Sequence, residues 1–160
     1  MFKRVGIVSR TAAPAVQEVL LNVVELLKSR GSEVLVHLPP DMNLSSAHYD
    51  ATSDGGLLSD CELVISLGGD GTLLQTAGLI FPHDVPLVGV NLGRLGFLTD
   101  FARSNIASGL DAVLDGQCLS EERAVLGCEI VRGDLVVASG NGLNDVVVQK
   151  WNTARLITLD

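Results

Sequence analysis

The stretch Leu63-Val64-Ile65-Ser66-Leu67-Gly68-Gly69-Asp70-Gly71-Thr72 decides how this chain folds. Its first half is an almost unbroken apolar run, the pattern of a strand covered on both faces in a parallel sheet. Its second half sets three glycines around one carboxylate, and Leu73, Leu74, Ala77 and Ile80 then follow at the spacing of a short helix. A glycine-rich turn between the carboxyl end of a buried strand and a helix is where α/β proteins bind phosphates. Glycines remove bulk and permit positive φ, so backbone N–H groups can approach an anion; Gly68, Gly69 and Gly71 are therefore candidate phosphate-binding positions. Thr72 is the fourth, as candidate N-cap of the helix. Asp70 is the odd member, because a carboxylate repels phosphate. It fits an anion cradle if it holds a metal or a hydroxyl, and a hydroxyl that attacks a phosphoryl group is such a partner. The competing reading is a tight turn with a capping Asp and no ligand.

Other phosphate motifs are missing. The chain has no G-x-x-x-x-G-K-[ST], and neither Gly93-Arg94-Leu95-Gly96 nor Gly140-Asn141-Gly142 extends to G-x-G-x-x-G.

Upstream of the turn, Val5-Gly6-Ile7-Val8-Ser9 reads as a first strand. Pro14 suits a first helical position, and Val16, Val19, Leu20, Val23 and Leu27 make an apolar helical stripe. Lys28, Arg30 and Gly31 suit its end, and residues 33–38 give a second strand. Strand, helix, strand is the parallel crossover unit. Residues 39–56 lack a clear period and predict a mobile loop with one short helix, after which residues 60–67 make the third strand. Downstream, residues 86–91 read as a fourth strand that ends in the glycine-rich block 92–100. There a ligand could approach, or Leu95 and Phe97 could pack into the core. Ser104 is a candidate cap for a helix carrying Ile106, Leu110, Val113 and Leu114. From Glu122 the texture becomes β: residues 124–131, a turn at Gly133-Asp134, residues 135–138, then Val146-Val147-Val148. Just before that last run, Asn144 and Asp145 form a pair able to read ribose hydroxyls or an amide, or else simply an Asx-type turn. Residues 154–160 still read as a strand, so the second domain is expected to be incomplete.

The expected fold is α/β, a parallel-sheet domain over residues 1–120 with helices on both faces, followed by the start of a β-rich second domain over 121–160. A net charge of −8 argues against nucleic-acid or membrane-surface binding, which needs a basic face. No apolar stretch reaches the length of a membrane span, and Met1-Phe2-Lys3-Arg4-Val5 leads into a strand rather than a signal peptide, so the expected location is the cytoplasm. Cys61, Cys118 and Cys128 lack the spacing of a disulfide or zinc framework, and His37, His48 and His83 are scattered, so none is assigned a role. No metal site is expected in the chain.

Four stretches together resemble the amino-terminal part of the bacterial NAD kinase family, which phosphorylates the adenosine ribose 2′-hydroxyl of NAD to make NADP. They are Val5-Gly6-Ile7-Val8, the Gly68–Thr72 turn, Asn91-Leu92-Gly93-Arg94-Leu95-Gly96-Phe97-Leu98-Thr99-Asp100, and Leu143-Asn144-Asp145-Val146-Val147. The turn alone is shared with diacylglycerol and sphingosine kinases; the Asn91 block and the Asn144-Asp145 pair single out NAD kinase. The resemblance implies that Asp70 is the proton acceptor and contacts NAD beside Gly71, that Phe97 and Leu98 line the nucleotide site, and that Asn144, Asp145 and Arg155 bind NAD. It implies ATP as donor with Mg²⁺ or another divalent cation carried on it, and a homo-oligomer, dimer or tetramer. Two departures stand out: Gly78 occupies a position that is basic in many relatives, and the Gly/Ser/Thr-rich segment that follows soon after Arg155 in the family is absent. The 160 residues alone are therefore expected to make little NADP. The alternatives are a lipid kinase of the diacylglycerol kinase type and a nucleotide-binding fragment without catalysis.

Overall fold

Six parallel strands form the core of the first of two compact units, Met1–Glu121 and Glu122–Asp160. The structure, a computed structural model, describes residues 2–11, 13–38, 49–52, 55–93 and 96–148. The strands are β1 (Arg4–Ser9), β2 (Glu33–His37), β3 (Asp50–Thr52), β4 (Leu63–Gly68), β5 (Leu87–Asn91) and β6 (Phe101–Ala102), in the order β3-β2-β1-β4-β5-β6. The helices are α1 (Pro14–Ser29), α2 (Asp70–Ile80) and α3 (Ile106–Leu114).

The alternation of the strands assigns each face of the sheet. Val5, Ile7, Val34, Val36, Ile65, Leu67 and Val90 pack with Val19, Leu20, Val23, Val24 and Leu27 of α1 and with Leu110 and Val113 of α3. The opposite face presents Val8, Leu35 and Val64 to Leu58, Cys61 and Ile80, so α2 and the short 3₁₀ helix Gly55–Asp60 cover it. Both faces are thus buried, which is why β4 reads as a continuous apolar run. Close approach on the second face needs glycine: a Cβ at Gly6 would lie 2.8 Å from Leu58 Cδ2. α1 begins with Pro14 at its first position, and Gly31, at φ 82°, follows its end. Arg30 then ties α1 to α3 through Asp111 at 3.5 Å and through Asp115.

The structure corrects several boundaries. The third strand starts at Leu63 rather than at residue 60, because Asp60 closes the 3₁₀ helix that buries Leu58. Within the expected loop, Asp50–Thr52 pairs with β2 as an edge strand too short to show alternation; residues 39–48 lie outside the described residues. β6, a two-residue strand beside β5, is likewise invisible to periodicity. Ser104 is not the cap of α3: Asn105 holds that position, and the Ser104 hydroxyl donates to Asn105 Oδ1.

The second unit contains an antiparallel hairpin, β7 (Leu126–Arg132) with β8 (Leu135–Gly142), turning at Gly133-Asp134 with Gly133 at φ 62°. Val137 is the extra residue at a bulge, since Ile130 pairs with Ala138 and Val131 with Val136. β8 continues through Gly140-Asn141-Gly142, past residue 138 where the sequence predicts that the strand ends. Val146, Val147 and Val148 are exposed and form no strand, for no described strand lies beside them to take up their hydrogen bonds. The strand expected over 154–160 falls outside the described residues.

Candidate active site

The chain runs outward in opposite directions from the adjacent strands β1 and β4, which makes their carboxyl ends the topological switch point of the sheet, the usual ligand crevice of open α/β folds. Gly68 ends β4, Gly69 is the N-cap of α2, and Asp70 is its first residue. Thr72 is therefore not the cap. Its N–H donates to Gly69 O at 2.9 Å, it is buried in the first turn of the helix, and it packs on Gly68, where a Cβ would come 2.6 Å from Thr72 Cβ. Nor do these glycines use positive φ: Gly69 is extended at φ −132°, ψ −167°. Gly68 is required for packing, while a Cβ at Gly69 would meet open space. The N–H groups of Asp70 and Gly71, in the first turn, have no intrahelical acceptor. Arg10, just past β1, reaches the same place: a Cβ at Gly71 would lie 3.8 Å from Arg10 Nη1.

Asp70 has a partner that was not foreseen. Its Oδ2 accepts the Phe97 N–H at 2.8 Å, and its Oδ1 accepts the Leu98 N–H at 3.2 Å and the Thr99 hydroxyl at 3.5 Å. The loop after β5 thus folds over the turn after β4 and presents its donors to the carboxylate. These hydrogen bonds, the Phe97 N–H foremost, hold the Asp70 carboxyl below its ordinary pKa. Gly96 makes the approach possible, because a Cβ there would overlap the Asp70 carboxylate. Phe97 is 99% exposed, so it does not pack into the core, and Leu98 is half-buried. Arg94 and Leu95 lie outside the described residues.

The loop is tied down at its neck. Asn91, 2% exposed at the end of β5, accepts the Gly93 N–H on Oδ1 at 2.8 Å and donates from Nδ2 to Thr99 Oγ1 at 3.1 Å. The Leu92 N–H donates to Gly68 O at 2.8 Å, and Asp100 Oδ2 accepts the Gly89 N–H at 2.7 Å. The sequence reading gave Arg10, Asn91, Gly96 and Thr99 no separate roles. The one available signal was a carboxamide closing an otherwise apolar strand, Val88-Gly89-Val90-Asn91.

The first unit brings together Gly68, Gly69, Asp70, Gly71, Thr72, Phe97 and Leu98. In the second, Asn144 Nδ2 donates to Asp145 Oδ2 at 2.8 Å, and both residues are exposed. Arg155 lies outside the described residues. Among the described residues, no three His, Cys, Asp or Glu side chains form a group able to hold a metal, and no helix is long and apolar enough to cross a membrane.

A parallel sheet ordered 3-2-1-4-5-6, with a glycine-flanked carboxylate at its switch point, defines a doubly wound α/β domain with its ligand crevice at the ends of β1 and β4. Residues 5–118 match the family model for the ATP-NAD kinase N-terminal domain, and the chain belongs to the NAD kinase family. It is 36% identical to the NAD kinase of Aromatoleum aromaticum over 160 residues, covering 99% of this chain and 53% of that protein. It is 37% identical to the NAD kinase of Chromobacterium violaceum over 163 residues, covering 100% of this chain and 55% of that one. The chain thus spans about half the length of the curated relatives it matches. The crystal structure of yeast NADH kinase complexed with NADH shares the fold, with TM-score 0.69 at 20% identity over 89% of this chain and 46% of that one.

Proposed function

We propose that this protein phosphorylates the adenosine ribose 2′-hydroxyl of NAD from ATP to give NADP, with Asp70 as catalytic residue. The observation that carries the reading is a carboxylate fixed by peptide N–H groups at the switch point of a chain that belongs to the NAD kinase family. A carboxylate has about four acceptor positions. Oδ1 accepts two of the hydrogen bonds described above and Oδ2 one, so the substrate hydroxyl is proposed to meet Oδ2. The 2′-oxygen attacks the γ-phosphorus, the bond to the β-phosphate oxygen breaks, ADP leaves, and the hydroxyl proton passes to Asp70. The N–H bonds weaken Asp70 as a base, so it orients the hydroxyl first and takes the proton late, once bond formation has made that proton acidic.

The N–H groups of Asp70 and Gly71 and the Arg10 guanidinium suit phosphate, alongside Gly68, Gly69 and Thr72. Gly71, Phe97, Leu98, Asn144, Asp145 and Arg155 are proposed to contact NAD. Mg²⁺ or another divalent cation would arrive on ATP, since the described residues offer it no carboxylate cluster, and would neutralise phosphate charge there. A cytoplasmic homo-oligomer, dimer or tetramer, completes the reading. In the decisive test, made in the chain extended with the remaining half of a relative, Asp70→Asn leaves NAD binding within a few-fold but lowers NADP formation by about 10² or more, the scale of a lost general base. Turnover close to the parent's would reduce Asp70 to a turn residue.

A further inference from the structure

The Asn91 side chain is buried, lies outside the proposed substrate contacts, and spans the loop whose N–H groups hold Asp70. Its orientation is unambiguous. Oδ1 takes the Gly93 N–H at 2.8 Å, so the amide nitrogen must face Thr99, and the Thr99 oxygen accepts from it at 3.1 Å. With that oxygen engaged by Asn91, the Thr99 proton is free to turn toward Asp70 Oδ1, 3.5 Å away. One carboxamide thus joins Gly93 to Thr99, and just before Thr99 stand Gly96, Phe97 and Leu98, the residues that meet the Asp70 carboxylate.

We propose that Asn91 and Thr99 are positioning residues: together they tie Gly93 to Thr99 as a staple and so hold the Phe97 and Leu98 N–H groups at the distances that fix Asp70 for reaction. A flexible loop presenting two N–H groups would lose conformational entropy each time it met the carboxylate. The staple removes that freedom in advance, which is what a reaction dependent on orientation requires. Thr99 meets Asp70 on Oδ1 rather than on the Oδ2 proposed to meet the substrate hydroxyl, and Asn91 acts through Thr99 and Gly93. The proposal rests on the NAD kinase reading for its kinetic consequence but not for its structural one.

The test compares Thr99→Val, which keeps shape and removes the oxygen, with Thr99→Ser, which keeps the oxygen and removes the methyl. Asn91→Leu is the second variant, removing the staple from its other end at similar volume. In protein that phosphorylates NAD, Thr99→Val should lower kcat by about ten-fold with KM for NAD and ATP nearly unchanged, a loss of orientation rather than of binding. Thr99→Ser should restore kcat to near the parent's. Asn91→Leu should lower kcat in the same way, by no more than Thr99→Val, which also removes the hydroxyl's bond to Asp70, and the double substitution should fall no further than Thr99→Val alone. Amide hydrogen exchange supplies a readout independent of activity: the Phe97 and Leu98 N–H groups should exchange faster in Thr99→Val and Asn91→Leu but not in Thr99→Ser. Parental kcat in Thr99→Val, or equal losses in Thr99→Ser and Thr99→Val, would overturn the staple. If the chain extended with the remaining half of a relative makes no NADP, the functional reading fails, and the exchange rates alone decide: faster exchange supports the staple and unchanged exchange overturns it.

Discussion

Asp70 is a carboxylate whose surroundings make it less basic and better oriented at once. Two peptide N–H groups and a hydroxyl stabilise its charged form, so its pKa in the folded chain lies below the unfolded value. Ionised Asp70 therefore stabilises the fold fully above the ordinary carboxylate pKa of about 3.9, and this contribution is lost as pH falls through the lower folded value. The stability difference between the parent and Asp70→Asn should be constant above about pH 5 and shrink at lower pH, as followed by urea unfolding across that range. A difference that persists undiminished in acid would mean that charge is not what the loop recognises. Gly96 is the companion residue, with no room for a Cβ against the carboxylate. Gly96→Ala should displace Asp70 or the loop and cost on the order of 10²-fold in NADP formation, the scale expected for a misplacement of about 1 Å. A crystal structure of that variant with Asp70 unmoved would refute the steric argument.

At the scale of elements, α2 starts on Gly69 without any side-chain cap. Removing a true capping hydroxyl costs about 0.5–2 kcal/mol. Because Thr72 sits in the first turn instead and packs against Gly68, Thr72→Val should change stability by less than about 0.5 kcal/mol, well below a lost cap. Leu27→Ala, by contrast, empties a fully buried position between α1 and the sheet and should cost about 2–5 kcal/mol. Denaturant titrations of the two variants check both values, and a cost for Thr72→Val as large as a cap's would restore the capping role. The Arg30 pairs joining α1 to α3 are partly exposed and contribute at most about 1 kcal/mol, so packing rather than charge holds α1 in place.

At the scale of the whole molecule, the candidate residues fall in two units: Asp70 and its loop in the first, Asn144 and Asp145 in the second. The chain spans about half the length of its curated relatives. Residues 1–160 alone should make little or no NADP from NAD, ATP and Mg²⁺, whereas the same residues extended with the remaining half of a relative should make it readily. A monodisperse 160-residue chain as active as the extended one would show that the site is complete within these residues.

The sequence by itself determined the alternating β and α elements, the buried parallel strands, the Gly68–Thr72 turn at a strand's carboxyl end and the hairpin around Gly133, because each is written in local periodicity or in residues with special backbone demands. Phe97 and Leu98 were legible only through a family resemblance, and Asn91, Gly96 and Thr99 had no legible role, since nothing in local spacing says that residues 27 to 29 positions beyond Asp70 fold back to donate to it. The short strands β3 and β6 were missed for a related reason: two or three residues carry no period, and a neighbouring strand alone makes them strands. Thr72 was misread as a cap because its chemistry permits that role, while the helix start was decided by where β4 ends. Only the tertiary structure could give Asp70 its partners, because hydrogen bonds between two loops depend on the sheet that brings β4 and β5 side by side.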